Sequence, residues 1–345
     1  MTTYLKLTAL LLLLITTYSY PQKNLFPVVV NSNIGFIDAQ GNIVIKPEYK
    51  QAGPFYSGKS KVEKYELYGG NVYNKKWGYI NQNGDFNDSL QFETGRSFNN
   101  GLAAVKKAGT WFKSSKWGFI DTTGNVKVKP AYFEVGNFSE GLAFVRERET
   151  WLWMVLYDRT GFIDTTGKVV IPLTFDHAGN FSEGYAPVTV NEKKGFINTA
   201  GKIVIQPRFD IVGAFGNGLA PVLFNGKWGY VNTSDSVIIP NIYDEARSFA
   251  EGMALVKKDG LWGFINTNGE VRVPIKYNAA SVFQEGLAPV MVDNKWGYIN
   301  TTGELVLKAE YDLAYPFSSG LAYVEVPSGK GYINKQGQYI WKPTF

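Results

Sequence analysis

The side chains able to do acid–base, nucleophilic or metal chemistry are few, and their spacing does not suit it. The chain of 345 residues holds one histidine, His177, and no cysteine. That removes thiolate nucleophiles, thiolate zinc sites, iron–sulfur ligation, disulfides and imidazole clusters. His177 follows Asp176, but no recurring serine accompanies the pair, so a nucleophilic triad has no support. Asp121 and Asp164 each open an Asp-Thr-Thr-Gly word. An acid pair needs two carboxylates close enough to share a proton, whereas this position is Asn in six of its nine copies; a turn cap accounts for it. The stretches 161–168 and 195–202 are spaced one residue too long for a phosphate loop, and neither Ser nor Thr follows the lysine. Asp210, Asp244, Asp312, Glu140, Glu183, Glu251 and Glu285 lack the dense Asp/Gly spacing of calcium loops and read as turn caps and solvated groups. The residues thus support no catalytic role, metal or cofactor.

The elements that position these side chains form a repeat. A Gly-aromatic-aliphatic-Asx word occurs nine times, at Gly35, Gly78, Gly118, Gly161, Gly195, Gly229, Gly263, Gly297 and Gly331. A second word, Phe-x-x-Gly-x-x-x-Val, has its glycine 23 residues after each of the first eight, from Gly58 to Gly320. Each repeat reads as three strands. Strand A is the first word, as in 296–300, and runs into an Asx-containing turn. Strand B is rich in β-branched residues and usually ends in proline, as at Pro47, Pro130 and Pro207. A loop of about ten residues, holding an aromatic such as Tyr49 or Tyr311, then leads to strand C. Burying about six apolar side chains yields on the order of 10–18 kcal/mol. Ordering one repeat costs roughly 1–2 kcal/mol per residue, so a lone repeat cannot fold and its neighbours must supply the rest.

In Lys76-Trp77-Gly78-Tyr79-Ile80-Asn81, Lys116-Trp117-Gly118, Lys227-Trp228-Gly229 and Lys295-Trp296-Gly297 the sequence resembles the bacterial WG-repeat family, also called KWG repeats. The resemblance covers roughly 28–345, with Ile34, Thr160, Lys194 and Lys330 where tryptophan is expected. It implies an exported or surface-associated bacterial β-repeat protein with no established enzymatic activity and no catalytic residues to transfer.

These observations predict an all-β fold of nine tandem three-stranded units. We expect an elongated or curved solenoid-like array whose truncated first and last units cap the core; the alternative is a closed β-propeller. Residues 1–19 read as a signal peptide, with Lys6, an apolar run from Leu7 and cleavage after Ser19. Residues 20–345 then form a single repeat array, with extended links in the first three repeats to about residue 160, and no transmembrane span is expected in the mature chain. A composition of 45% hydrophobic and 15% aromatic residues excludes a disordered chain.

The links from strand C to the next strand A carry the most distinctive composition. Together they hold 19 Lys and Arg against nine Asp and Glu, although the whole chain is only +5. The three extended links, 59–76, 106–116 and 146–160, should be neighbours. They bring together Tyr65, Tyr68, Tyr73, Trp111, Phe112, Trp151, Trp153 and Tyr157 with Arg146 and Arg148. Flat rings among cations suit an envelope glycan with anionic groups or a protein surface partner; the competing reading buries the rings against one another. Nucleic acid is a weaker partner because export separates the chain from it. The expected function is therefore a non-enzymatic binding or scaffold protein, exported to the periplasm, outer surface or medium. Its alternative is a structural spacer, with a glycan-active enzyme third.

Overall fold

A computed structural model describes residues 24–68, 71–88, 91–109, 114–151 and 154–344; the stretch read as a signal peptide, 1–19, lies outside them. The described chain is all β, in nine antiparallel sheets of three or four strands. Successive sheets span 26–49, 51–88, 94–132, 134–175, 177–209, 211–243, 245–277, 287–311 and 313–344, and are called here blades one to nine. Seven blades have four strands in the order short strand, C, A, B. The three-strand expectation misses the two-residue short strand, such as Leu313–Ala314, which pairs with Glu325 and Val324 of strand C. It lies in the stretch read as loop. The aromatic assigned to that loop instead ends strand B: Tyr49, Tyr243 and Tyr311 are buried and pair with Ile34, Trp228 and Trp296 of strand A.

Strand B is bent sharply over strand A. Trp296 pairs with Tyr311, Tyr298 with Leu307 and Ile299 with Leu305, so extra residues bulge out of strand B at two places. The bulge brings its backbone down onto the first-word glycine. A Cβ added to Gly229 would lie 2.5 Å from the Ile239 carbonyl oxygen, and one on Gly35 2.6 Å from that of Ile45. The glycine is there because backbone meets backbone. Pro47 and Pro207 sit on the bulge itself, where a missing N–H is harmless.

Blades bind each other by three contacts that recur around the molecule. The strand A aromatic meets the second-word Phe of the next blade edge-on or tilted, as in Phe119–Phe138 at 4.7 Å, Phe264–Phe283 at 4.6 Å and Tyr298–Phe317 at 5.0 Å. Where that aromatic is Tyr, its hydroxyl donates to the next blade's loop, Tyr230 to the Arg247 carbonyl and Tyr298 to that of Tyr315, both at 2.8 Å. The turn after strand A rests on strand B of the preceding blade, as Gly303 does on Val273 and Gly337 on Leu307.

All three contacts also join blade nine to blade one. Phe26 meets Tyr332 at 5.6 Å, the Tyr332 hydroxyl donates to the Pro27 carbonyl at 3.0 Å, and Gly41 abuts Ile340. The array is therefore a closed nine-bladed propeller rather than an open solenoid. The expected end caps cap each other. Phe26 explains how: it stands at the strand C position that holds Ala103, Ala143, Ala186, Ala220, Ala254, Ala288 and Ala322 in other blades, all fully buried. Its ring occupies the place of the second-word Phe, a word that blade one lacks.

The second-word turns form a further chain of contacts. Both turn residues have positive φ, as at Glu183 (53°) and Gly184 (82°), the geometry of a tight hairpin. A Glu there is strained, and its carboxylate offsets the strain. Glu183 accepts from the amides of Asn217 and Gly218 in the next turn at 2.7 and 2.8 Å, and Glu251 from Glu285 and Gly286 at 2.6 and 2.9 Å. At the other turns Asp121 accepts from the Thr123 hydroxyl and from the amides of Thr123 and Asn125. The Thr123 hydroxyl bond is the main reason its carboxyl is held down to about 2.

If Phe26 seals the ring, Phe26→Ala should lower the free energy of unfolding by about 3–5 kcal/mol. Tyr298→Phe, which removes only one inter-blade hydrogen bond, should cost about 1 kcal/mol. Denaturant unfolding of the two variants measures the difference.

Candidate binding faces

The extended links are hairpin extensions of blades two, three and four, consecutive around the ring. In blade two, strands Lys59–Tyr68 and Asn71–Asn81 pair along their length, and in blade four Leu142–Trp151 pairs with Met154–Asp164. Trp111, Phe112 and Trp153 lie outside the described residues, as do the side chains of Tyr68, Tyr73 and Trp151. Tyr65 is covered by Lys75, its cross-strand partner, whose ammonium lies 5.1 Å from the ring. Tyr157 is exposed, and its hydroxyl donates to the Leu173 carbonyl at 3.2 Å.

The two arginines are engaged within the protein. Arg146 grips Asp158 with two bonds, at 2.5 and 2.8 Å, and reaches Glu134 at 3.2 Å. Arg148 lies 3.0 Å from the same Asp158 carboxylate and stacks on Phe133 at 5.0 Å. Burial pushes the Asp158 carboxyl up, but the bonds and charge of Arg146, then the charges of Arg148 and His177, outweigh it and hold it below its ordinary value. Elsewhere on this edge a basic residue is paired with the acid that follows strand B. Lys193 meets Asp210 and Lys227 meets Asp244, both at 2.6 Å, Lys295 meets Asp312, and Arg159 meets Asp176 at 3.0 Å. Four of the link cations are thus paired with an acid 17 positions onward. The solvated-group reading of those aspartates had no partner in view because the pairing needs the fold of strand B.

What the hairpin of blade four does expose is apolar. Met154, Val155 and Leu156 form a run with Tyr157, and Leu156 is 62% exposed. Sequence reasoning passed over this run because it weighed rings and charges. His177 is an exposed residue of a two-residue strand, paired in register with Thr189. Among the described residues no group of three or more histidines and carboxylates is placed to hold a metal.

A second face lies where the ring closes. Blades nine, one and two enclose a cavity of about 760 Å³. Tyr315, Pro316 and Tyr323 of blade nine and Pro54 and Tyr56 of blade two form walls over Phe26 and Tyr332. Phe55, the first second-word Phe, is only half-buried here, whereas the other seven are buried. The signal for this site was present in the sequence as nine first words against eight second words.

The model of the WG-containing repeat matches eight times, at 34–68, 77–111, 117–151, 161–193, 195–228, 228–262, 262–296 and 296–326. The chain belongs to the WG-containing repeat family. The Trp of the word is half-buried at the start of strand A, paired with the last aromatic of strand B, as Trp228 is with Tyr243. Ile34, Thr160 and Lys194 stand in the same register against Tyr49, Phe175 and Phe209, which is why other side chains suffice there. No curated protein matches the sequence. Among solved structures, a eukaryotic initiation factor is similar in fold, with TM-score 0.53 and 13% identity over 78% of this chain and 82% of that one. AztD from Citrobacter koseri gives 0.41 and 12% over 79% and 89%. The β-propeller domain of the Trilobed protease from Pyrococcus furiosus gives 0.40 and 10% over 86% and 99%.

The Asp158 network carries a pH dependence whose sign is fixed. A carboxyl held below its ordinary value adds stability that is fully present above that value and is lost as pH falls through the folded one. The amide protection factors of 142–151 and 154–164 should therefore fall more than those of blade six as pH drops below about 4. Asp158→Asn should remove that difference and loosen the hairpin already at neutral pH.

Proposed function

We propose that this propeller is an exported, non-enzymatic binding scaffold that engages a protein partner of the cell envelope through the projecting hairpins of blades two to four. The observation that carries this reading is the exposed run Met154-Val155-Leu156-Tyr157 at the end of a paired hairpin on a rigid ring. Contiguous exposed apolar side chains of this kind mark interaction sites in soluble proteins. The arginines of the same hairpin, Arg146, Arg148 and Arg159, are paired with Asp158 and Asp176, so they contribute orientation and solubility at the rim. Export is supported by the leader sequence at 1–19.

Two measurements test the proposal. N-terminal sequencing of the chain expressed with its leader should find a mature protein starting at Tyr20. The double variant Val155→Ser, Leu156→Asp should keep the parent's unfolding midpoint, since both positions are exposed, while its retention of envelope proteins in crosslinking falls about tenfold or more. Equal retention by variant and parent removes the hairpin face from consideration.

A further inference from the structure

Asparagine followed by glycine is a reactive pair in any chain, and the fold decides which copies react. The glycine amide nitrogen can attack the asparagine Cγ, since a residue without a Cβ leaves the approach open. An amide already held in a hydrogen bond must first give that bond up. Five such pairs occur, beginning at Asn83, Asn100, Asn217, Asn225 and Asn268.

Four of the five glycine amides are engaged. Gly84 donates to the Asn81 carbonyl at 3.0 Å and Gly269 to that of Asn266 at 2.9 Å, within the turns that follow strand A. Gly101 donates to the Ser57 hydroxyl at 3.2 Å and Gly218 to the Glu183 carboxylate at 2.8 Å, each on the preceding blade. Two of the asparagine side chains are held as well. Asn100 donates to the Phe138 carbonyl at 3.3 Å, and Asn217 accepts from the Gly252 amide at 3.0 Å.

The fifth pair, Asn225-Gly226, is the turn joining strands Leu219–Phe224 and Lys227–Asn232 of blade six. Its φ values of 51° and 77° are those of a type I′ turn, in which the flanking residues Phe224 and Lys227 pair with each other. Both turn residues are exposed, and a Cβ built on Gly226 would meet nothing within 4 Å. Neither the Asn225 side chain nor the Gly226 amide has a hydrogen bond among the described residues. In the blades on either side an acid restrains this turn: Asp176 accepts from the Asn191 amide at 2.8 Å and Asp244 from that of Gly260 at 3.4 Å. Asp210, the equivalent acid before blade six, bonds Lys193 instead.

We infer that Asn225 is a self-modification site, deamidating through a cyclic imide to aspartate and isoaspartate while the other four pairs persist. The Gly226 nitrogen gives up its proton and bonds to Asn225 Cγ. The bond from Cγ to the side-chain nitrogen breaks, and that nitrogen leaves with the proton as ammonia. Water then opens the imide. Its addition at Cγ restores the ordinary chain with an aspartate side chain, whereas addition at the backbone carbonyl carbon leaves the chain running through Cγ as isoaspartate. Either product places a new carboxylate in the turn before Lys227, whose present partner is Asp244. Isoaspartate also lengthens the backbone of a turn whose geometry depends on two residues.

The full-length mature chain is incubated folded at mildly alkaline pH and, in parallel, unfolded in guanidinium chloride. Peptides are then mapped by mass spectrometry, with fragmentation that separates isoaspartate from aspartate. In the folded protein Asn225 is expected to convert about fivefold or more faster than any of the other four, the factor set by one hydrogen bond. In the unfolded chain the five should convert at similar rates. Glu183→Ala, which releases the Gly218 amide, should speed conversion at Asn217 about threefold or more and leave Asn225 unchanged. The proposal is overturned if Asn225 persists in the folded protein, if another pair converts as fast, if the unfolded chain shows the same order, or if Glu183→Ala leaves Asn217 as slow as before.

Discussion

The whole ring depends on one contact made nine times, an aromatic of strand A set against an aromatic of the next blade. Each blade's own sheet is too small to bury its inner face, so its core lies between blades. Leu287, Tyr298 and Leu307 of blade eight pack with Phe317, Ala322 and Val324 of blade nine in a single cluster. Such a core has no natural end. An open array would leave one half-cluster bare at each terminus, whereas a ring leaves none. The ninth contact is therefore the one that decides the architecture, and there the repeat is broken. Blade one has Pro21 where the word has Phe and Phe26 where other blades have Ala, and the Phe26 ring packs against Tyr332.

Much of each blade was legible in the sequence because it is local. The first word and the Asx turn follow from residue type at short spacing. The glycine of the word follows from the bulge of strand B, where Ile239 and Leu307 carbonyls come too near Gly229 and Gly297 for a Cβ. The short strand and the end of strand B were hidden, since Leu313 and Tyr311 flank a single residue, Asp312, and read as one irregular loop. Whether such units close depends on the rotation from one to the next, which no local pattern encodes. Phe26 at an alanine position was the visible trace of closure, meaningful only once the register of strands C and A placed it beside Tyr332.

The charge pattern shows the opposite error. The links look strongly basic when counted along the chain, and a cationic surface follows naturally from that count. In the fold, the residue after strand B of a blade returns to the start of its strand A, bringing Asp210 to Lys193 and Asp244 to Lys227. Charges 17 residues apart in sequence become neighbours because strand B runs antiparallel to strand A. Exposed pairs of this kind add little stability, but each cancels one of the charges that an anionic ligand would have sensed. Arg146 and Arg148, the residues most suited to such a ligand, share Asp158 between them.

Repetition also explains why function gathers where the repeat fails. In the regular blades five to eight every seat is filled by a neighbour: Ser182 has the Phe215 carbonyl, Glu251 the amides of blade eight's turn, Tyr230 the Arg247 carbonyl. A side chain satisfied by its twin has no capacity left for a ligand. Two departures stand out among the described residues, the hairpins that outgrow the ring in blades two to four and the seam where blade one lacks the second word. The first adds apolar surface beyond what neighbours can cover, and the second places Tyr56, Tyr315 and Tyr323 around one cavity. Both arise from a change in length at one point of an otherwise uniform unit, the alteration that a closed ring tolerates most easily, because neither the aromatic contacts nor the strand register has to move.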